Sequence, residues 1–238
     1  MASAESEPVP HGPAPLPALD FTPPTNDEEQ VEALKLIADS IAQRRQLASY
    51  ALMTHPYFLG LMGLAVSIVY KWLYKSPSDW ALIFTTSIGI LMAGFVGIRG
   101  AVSKYIELAE SVNYKWLDRD EVVVARWGDG ADRKVIGSVV YKIEKASGSG
   151  SGRKGKKIAT IRAWTTRQRM RNNGVGKGLI EETVKQAKLK GADEIRWEEG
   201  NIYEKRILPS WANSGFESGL KEARKKLEGY VQEYQGKK

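Results

Sequence analysis

The sequence predicts an α+β protein in which a two-helix transmembrane hairpin precedes a mixed β-sheet with flanking helices. Two observations predict the hairpin: residues 57–74 carry a single charge, Lys71, and residues 80–98 carry none. A third predicts the sheet, because Val-rich runs alternate with turn residues and with one helical pattern between residues 121 and 197. A chain of 238 residues is long enough for one modest domain in addition to the hairpin.

The first 55 residues predict a tail followed by an amphipathic helix. Residues 1–24 hold seven of the ten prolines, which is typical of a disordered tail, and they lack the basic start and apolar middle of a secretory signal. Thr25-Asn26-Asp27-Glu28 has capping-box spacing, so we expect a helix over residues 25–55. Its apolar face, made of Val31, Leu34, Ile37 and Ile41, can pack on the folded domain or lie on lipid headgroups.

Residues 56–98 predict a transmembrane helical hairpin. Each apolar run can cross a bilayer core of about 30 Å at about 1.5 Å per residue. Two buried helices of a soluble core are the alternative, which so few charges disfavour. Only residues 75–79 separate the runs, so both ends lie on one side of the membrane. Small residues predict close helix packing at Gly63 with Ser67 and at Gly89 with Ala93 and Gly97.

The rest of the chain predicts a connecting helix, a sheet domain and a charged helix. Residues 99–118 are expected to continue as a helix that leaves the membrane, and the sheet domain is expected over residues 119–217. Its strands are predicted at residues 121–127, 134–143, 158–166 and 193–197, with a helix from Val175 that Gly191 caps. Residues 218–238 are rich in Lys, Glu and Gln and predict a charged C-terminal helix.

One loop joins the strand at residues 158–166 to the following helix, and it reads Arg171-Asn172-Asn173-Gly174-Val175-Gly176-Lys177-Gly178. Glycine adopts backbone angles that other residues avoid and lets a ligand approach the main chain. The first N–H groups of a helix have no helical partners and attract anions. A Walker-type loop needs glycine at Arg171 and Ser or Thr at Gly178, and a dinucleotide fingerprint needs a small residue at Leu179. Neither pattern fits.

The same loop resembles the acetyl-coenzyme A signature of the GNAT acyltransferases, Arg/Gln-x-x-Gly-x-Gly/Ala, at Arg171, Gly174 and Gly176. The order of elements over about residues 120–217 is also similar, including Gly215-Phe216 near the end. The resemblance implies a GNAT-like mixed sheet and acetyl-CoA, or another acyl-CoA, as the cofactor. The implied cofactor-binding residues are Trp164, Thr165 and Thr166 beside the pantetheine arm, and Arg171, Asn172, Asn173, Gly174, Val175, Gly176, Lys177 and Gly178 around the diphosphate.

Missing residue types restrict the chemistry. The chain has no cysteine, which excludes a disulfide, a thiol acyl intermediate and a thiolate metal site. Its histidines are His11, in the tail, and His55, at the membrane edge, so no metal site and no His-based triad is expected in the domain. Acyl transfer then has to be direct, with a general base and a general acid for the proton steps.

This sequence departs from the family pattern at the catalytic positions. Four residues before the Gly-Phe step, Trp211 replaces the tyrosine that the family uses as general acid, and an indole cannot protonate a thiolate. Tyr203 lies eight residues earlier, about two helical turns away, and is a poor substitute. Glu198 and Glu199 are the candidate catalytic bases, with a solvated strand end as the alternative interpretation.

A second departure is architectural. Membrane helix occupies the upstream region where the family has a strand and two helices that line the substrate cleft, and a charged helix replaces the two strands after Phe216. We therefore expect the cofactor half of the fold to be kept and the acceptor half to be reduced.

Two functions of different class follow. The first is a membrane-anchored GNAT-like protein that binds acetyl-CoA at the cytosolic face of the endoplasmic reticulum membrane and transfers the acyl group to an amine. The second is a catalytically degenerate GNAT-fold assembly or packaging factor for multi-span membrane proteins or the translocation machinery. Its layout resembles the fungal reticulum chaperones that package phosphate transporters. Cytosolic termini are expected because acyl-CoA is available there, with slight support from the distribution of Lys and Arg.

The expected partners are the membrane and, for the second function, a membrane protein. The formal net charge is +7, and a basic run at residues 153–157 follows a Gly/Ser-rich stretch at residues 148–152. This loop can contact anionic lipid or remain solvated. Because it lacks interleaved aromatic residues, nucleic acid is not an expected partner.

Overall fold

Five strands form one mixed sheet in the order β1-β2-β3-β4-β5 among the residues that the computed structural model describes, which are 19–128, 133–145, 156–205 and 207–235. The strands are β1 (Leu19–Thr22), β2 (Glu121–Trp127), β3 (Lys134–Lys145), β4 (Lys157–Thr166) and β5 (Glu194–Trp197). Neighbours pair antiparallel from β1 to β4, and β4 pairs parallel with β5. The predicted α+β fold with a mixed sheet is confirmed.

Helices cover both faces of this sheet. The helices are α1 (Asp27–Met53), α2 (Pro56–Leu73), α3 (Trp80–Ala101), α4 (Lys104–Glu110), α5 (Tyr114–Leu117), α6 (Val175–Leu189) and α7 (Ser210–Gln235). Leu179, Ile180 and Val184 of α6 pack with Val139 and Ile161 on one side, which we call the α6 face. Apolar residues of α1 and α4 pack on the opposite side, the α1 face, where Ile37 and Ile41 of α1 meet Val124, Val140 and Ala163.

The N-terminal region differs from the prediction of a disordered tail over residues 1–24. Residues 1–18 lie outside the described part, but Leu19–Thr22 form β1 and pair with β2 from Trp127 to Val124. The helix that follows begins at Asp27, and its cap is shifted by one residue from the predicted box. The Thr25 N–H and hydroxyl both donate to Glu29 Oε2, at 2.7 and 2.9 Å, whereas the N-cap residue Asn26 makes no side-chain cap bond.

Helices α2 and α3 form a hairpin. Phe58 lies beside Phe95 and Tyr70 beside Trp80, with ring centroids 6.1 Å apart in both pairs, so the two helices run antiparallel. Both helices are long and apolar enough to cross a membrane, and most of their large apolar side chains are exposed. The predicted packing at Gly63, Gly89 and Gly97 is wrong, since a Cβ at these positions meets open space. Gly94 is the glycine in contact, where a Cβ would lie 2.9 Å from Met62 Sδ.

The hairpin is inserted between elements of the sheet domain. Because β1 and α1 lie before the hairpin and pack on the sheet, the expectation that membrane helix replaces the family's upstream strand and helices is wrong. The helix predicted at residues 99–118 is also broken, since α3 ends at Ala101 and α4 and α5 follow as short pieces. A cluster at the base joins hairpin and domain through Ala48, Leu52, Ile98, Val102, Tyr105, Leu208 and Ala212.

The C-terminal region forms a single long helix. Helix α7 runs without a break through Gly215 and Phe216, so the Gly-Phe step lies inside a helix and the boundary expected at residue 217 falls within it. Residues 236–238 and the side chains of Trp211 and Phe216 lie outside the described part. Leu227 and Val231 of α7 join the core on the α6 face, so this helix packs beside α6.

Candidate functional site

The predicted phosphate loop is exposed and begins α6 through a left-handed glycine. After β4, the Arg167 N–H donates to Ile136 O at 2.7 Å, which fixes where the chain leaves the sheet. Residues 171–174 are exposed, and Asn172 and Gly174 have φ values of 66° and 79°. A side chain at Gly174 would meet open space, so its glycine is required by backbone conformation and not by close packing.

Main-chain donors at the start of α6 lack acceptors within the described part of the chain. The Gly178 N–H donates to Gly174 O at 3.1 Å. The amides of Val175 and Gly176 come before this bond and donate to no acceptor among the described residues. Such amides, together with the helix dipole, form a site for a phosphate or another anion. The predicted binding residues Arg171, Asn172, Asn173, Gly174, Val175, Gly176 and Lys177 include these donors and the exposed residues before them, and their role in binding stays a prediction.

Packing explains the other two glycines of the loop. A Cβ at Gly176 would lie 2.9 Å from Trp164 Cζ2, and one at Gly178 would lie 2.7 Å from Phe21 Cε2. Both positions thus admit only glycine because an aromatic ring lies against the helix start. The contact with Phe21 is enough to explain the glycine at position 178. The role predicted for Gly178 in cofactor binding therefore stays a prediction.

The three residues predicted beside the pantetheine arm lie at the end of β4. Trp164, Thr165 and Thr166 pair with Val139, Ser138 and Gly137 of β3. Trp164 points to the α6 face, while Thr165 is buried on the opposite side. The Trp164 Nε1–H is buried and has no acceptor among the described residues. An unpaired donor on this strand fits a ligand that presents a carbonyl oxygen.

The last turns of α7 cover this end of the loop. Tyr230 meets Trp164 edge-on, with ring centroids 6.4 Å apart. Lys177 Nζ lies 3.0 Å from Glu233 Oε2 and 5.8 Å from the centroid of the Tyr230 ring. Lys177 is therefore engaged with α7, and a role for its ammonium group in phosphate binding requires it to leave Glu233.

Strands β4 and β5 separate beside these residues. They pair from Ile158 to Ile161, and the Glu198 N–H makes the last bond, to Ile161 O at 3.0 Å. Within β4, Arg162 is an extra residue, because the neighbours Val140 and Tyr141 pair with Ala163 and Ile161. This bulge turns the side chains beyond it to the other face.

Tyr203 occupies the edge that β4 exposes where β5 turns away. It packs with Ala163, and its hydroxyl lies 3.3 Å from Ser40 Oγ. The Thr165 side chain also forms a hydrogen bond with the phenol. Burial raises the pKa of Tyr203, so the phenol stays protonated. The turn that holds Tyr203 is not part of a helix, so the spacing argument that made it a poor proton donor does not apply.

The two candidate bases have different surroundings. Glu198 Oε2 lies 3.6 Å from Arg162 Nε, whereas Glu199 is exposed in the turn after β5. Arg162 also pairs with Asp120, and its guanidinium lies 4.4 Å from the centroid of the Trp116 ring. Sequence reasoning missed Asp120, whose pKa is raised by burial against the opposing effect of Arg162. Its position just before β2 gave no signal, because the partner lies 42 residues away.

Neither a metal site nor the basic loop can be placed in this region. Within the described ranges, no group of three or more His, Asp or Glu side chains is arranged to hold a metal ion. Most of the loop predicted to contact lipid, residues 148–157, lies outside the described residues.

Comparison with known proteins finds a family match over part of the chain. Residues 99–206 match the family described as Acetyltransferase (GNAT) family. No curated protein is significantly similar in sequence. Among solved structures, a GNAT family acetyltransferase from Staphylococcus aureus is 17% identical, with 44% of this chain and 73% of that chain covered and a TM-score of 0.31.

Two further solved structures give similar values. An acetyltransferase from Trypanosoma brucei is 19% identical, with coverages of 40% and 63% and a TM-score of 0.30. An aminoglycoside acetyltransferase from an uncultured soil metagenomic sample, in complex with trehalose, is 18% identical, with coverages of 50% and 63% and a TM-score of 0.30. The chain thus spans less than two thirds of the length of these two proteins, and such low scores say nothing about substrate. The match to the acetyltransferase (GNAT) family over residues 99–206 covers a little less than half of the chain.

Proposed function

We propose that this protein is a membrane-anchored GNAT acyltransferase that binds acetyl-CoA, or another acyl-CoA, and transfers the acyl group to an amine. The observation that carries the proposal is the open start of α6, where Gly174 is left-handed and the amides of Val175 and Gly176 have no acceptor among the described residues. Its position after β4, in a chain whose residues 99–206 match the GNAT family, is what the acyl-CoA signature predicts.

Each part of the loop has a role in this proposal. Arg171 and the amides of Val175 and Gly176 bind the diphosphate, and the edge of β4 at Trp164, Thr165 and Thr166 aligns the pantetheine arm. The bound acyl-CoA supplies an activated thioester. The Trp164 indole N–H, which has no acceptor among the described residues, donates to the pantetheine arm in this proposal.

Two side chains handle the protons. The amine nitrogen attacks the thioester carbon, the carbon–sulfur bond breaks, and the amine loses one proton while the sulfur gains one. Glu198 accepts the proton from the amine, as the less exposed of the two candidate bases. Tyr203 keeps a protonated phenol next to Thr165 and donates to the sulfur. Trp211 has no part in this scheme.

In this proposal the hairpin anchors the reaction at a membrane surface. Its outer face exposes Leu61, Leu64 and Phe84, which suits lipid, and Trp72 and Trp80 lie near its tip, where aromatic side chains suit the interface. We propose the endoplasmic reticulum membrane, with both termini and the GNAT domain in the cytosol, because acyl-CoA is supplied there.

Calorimetric titration of the full chain in detergent micelles with acetyl-CoA tests the proposal. Arg171→Glu is the test variant, and Arg169→Glu is the matched control, since both arginines are exposed and carry the same charge two residues apart. We expect micromolar binding that falls at least tenfold for Arg171→Glu and less than twofold for Arg169→Glu. Equal losses would place the phosphate site elsewhere, and an absence of binding at millimolar acetyl-CoA would refute the proposal.

An assay with a panel of amines tests the transfer step. We expect turnover that Glu198→Gln lowers about 100-fold, whereas Glu199→Gln leaves it nearly unchanged. Binding without turnover on any amine supports the second candidate function, a GNAT-fold assembly or packaging factor for membrane proteins. The cover of Trp164 by Tyr230 of α7 is the observation that favours this candidate.

A further inference from the structure

Three arginines are buried or half-buried around the α1 face, and two of them have carboxylate partners. Arg126 binds Glu29 through two bonds of 2.8 and 2.6 Å, and Arg162 pairs with Asp120. Arg44 of α1 is the third. Its Nη1 donates to Tyr203 O at 2.9 Å and its guanidinium lies 4.8 Å from the centroid of the Tyr203 ring, but it meets no carboxylate among the described residues.

Arg44 lines a half-open cavity of about 320 Å³. The cavity lies between α1, α4, α7 and the turn at residues 202–205. Its uncharged lining includes Tyr105, Tyr203, Asn213 and Leu220. Its charged lining has four cations and two carboxylates, which are Arg44, Lys205, Lys221 and Arg224, and Glu204 and Glu217. Tyr105 also belongs to the cluster at the base of the hairpin, so the cavity lies next to the proposed membrane surface. Tyr203 lines the side of the cavity that faces Thr165 of β4.

The charge of Arg44 is poorly compensated in this position. Burial lowers its pKa, and the nearby Arg171 acts in the same direction. A guanidinium carries five N–H donors in a planar fork, and among the described residues Arg44 makes one bond to an oxygen, at Tyr203 O. A buried cation without an anion is unfavourable, and a carboxylate or phosphate in the cavity would pair with it through two bonds.

We propose that this cavity binds the anionic group, a carboxylate or a phosphate, of the amine that accepts the acyl group. The inference rests on the proposed function and adds the chemical class of its acceptor. The acceptor's anion lies against Arg44 while its amine extends past Tyr203 toward the end of β4. Because the cavity adjoins the hairpin base, the anion can belong to a lipid headgroup or to a soluble molecule.

Phosphate titrations of the full chain test the cavity. The chain is placed in phosphatidylcholine nanodiscs and titrated calorimetrically with inorganic phosphate at constant ionic strength. All titrations use an Arg171→Gln background, so that the loop before α6 does not contribute. We expect Arg44→Gln to weaken phosphate binding at least tenfold and Arg44→Lys to weaken it about threefold. Arg45→Gln is the matched control, because Arg45 is the next residue on α1 and lines a different groove, so it should change binding less than twofold.

A second variant covers the case in which Arg44→Gln does not fold. Leu220→Trp fills the cavity without removing a charge and is expected to abolish phosphate binding while Arg44→Lys retains it. Phosphate affinity that is equal in Arg44→Gln and its parent, or that survives Leu220→Trp, overturns the proposal. Nanodiscs with phosphatidic acid separate the sources, since a lipid ligand blocks the titration with soluble phosphate and a soluble ligand does not.

Acetyl-CoA binding distinguishes this failure from that of the proposed function. We expect acetyl-CoA to bind the chain that keeps Arg171 with equal affinity, within twofold, whether position 44 is Arg or Gln. Phosphate binding through Arg44 without acetyl-CoA binding would remove the proposed function and leave the cavity as an anion site. Acetyl-CoA binding without phosphate binding would remove the cavity proposal alone.

Discussion

The two faces of the sheet are built from different interactions. On the α6 face, apolar side chains pack closely, and the glycines at 176 and 178 are there because Trp164 and Phe21 lie against the helix start. Around the α1 face, the same sheet carries Arg126 and Arg162, each held by carboxylates. The α6 face is therefore defined by shape and main-chain donors, and the α1 face by charge.

This difference bears on how a reaction could be divided between the faces. The diphosphate site proposed at the start of α6 needs only amides and one exposed arginine, so little of it depends on buried charge. The α1 side holds the ionisable groups that proton transfer and recognition of a charged acceptor require, among them Asp120, Tyr203 and Arg44. The insertion of the hairpin between α1 and α4 leaves that side intact and next to the apolar hairpin.

The largest expected effect comes from removing a charge partner on the α1 side. Arg126 has only 2% of its side chain exposed and binds Glu29 with both carboxylate oxygens. Glu29→Gln should lower the free energy of unfolding by about 3 kcal/mol at pH 7, because it removes the nearer carboxylate of a buried guanidinium and leaves Asp20, 3.5 Å from Arg126 Nη1. Thermal unfolding of the full chain in detergent micelles measures this loss. Glu28→Gln is the control, since Glu28 is exposed on the same helix turn, and it should change stability by less than about 0.5 kcal/mol.

The same pair predicts a dependence on pH. Arg126 lowers the pKa of Glu29 to about 2, below its ordinary 4.5. A carboxylate with a depressed pKa contributes stability above its unfolded value, and this contribution is lost as the pH falls from about 4.5 toward about 2. The difference between the wild-type chain and Glu29→Gln should therefore shrink over this range. A difference that stays constant down to pH 2 would show that the ion pair is not its source.

A smaller effect is expected from packing on the α6 face. Gly178→Ala brings a methyl group against the Phe21 ring of β1 and should destabilise the chain by about 2 kcal/mol. Adding Phe21→Ala should recover part of that loss, because the collision is removed. Without any recovery in the double variant, the glycine would be required by something other than Phe21. Gly137→Ala is a parallel case, since its Cβ would lie 2.7 Å from Leu179 Cδ1.

Local patterns predicted the elements that local interactions determine. The Val-rich runs of β2 and β3, the strand at residues 157–166 and the helix from Val175 were placed within a few residues. Strand β1 was missed, because four residues beside a proline-rich tail become a strand only through pairing with β2, about a hundred residues away. Local sequence also does not explain why residues 176 and 178 are glycine, because the aromatic rings that pack against them come from β4 and β1.

Charged residues of the candidate site were the hardest to predict. Glu198 and Glu199 were chosen by position alone, and only the fold shows that Glu198 lies beside Arg162 while Glu199 is exposed. Nothing in the sequence pointed to Arg44 and Asp120. Their importance depends on whether a distant element provides a partner for the charge, and local sequence does not show this. Helical spacing argued against Tyr203 as the proton donor. That spacing does not apply, because Tyr203 lies in a turn that brings it to Thr165.

The smallest expected effect concerns the unpaired indole N–H on the α6 face. Trp164→Phe keeps an aromatic ring against Tyr230 and removes a buried donor that has no acceptor among the described residues, so stability should change by less than about 0.5 kcal/mol. Acetyl-CoA affinity should fall about threefold, the effect of one neutral hydrogen bond, if the cofactor supplies the acceptor. Calorimetry measures the affinity, with Trp127→Phe as the control, because Trp127 is exposed at the end of β2. Unchanged affinity would assign Trp164 to packing alone, and the cofactor side would then rest on Arg171, Gly174 and the amides of α6.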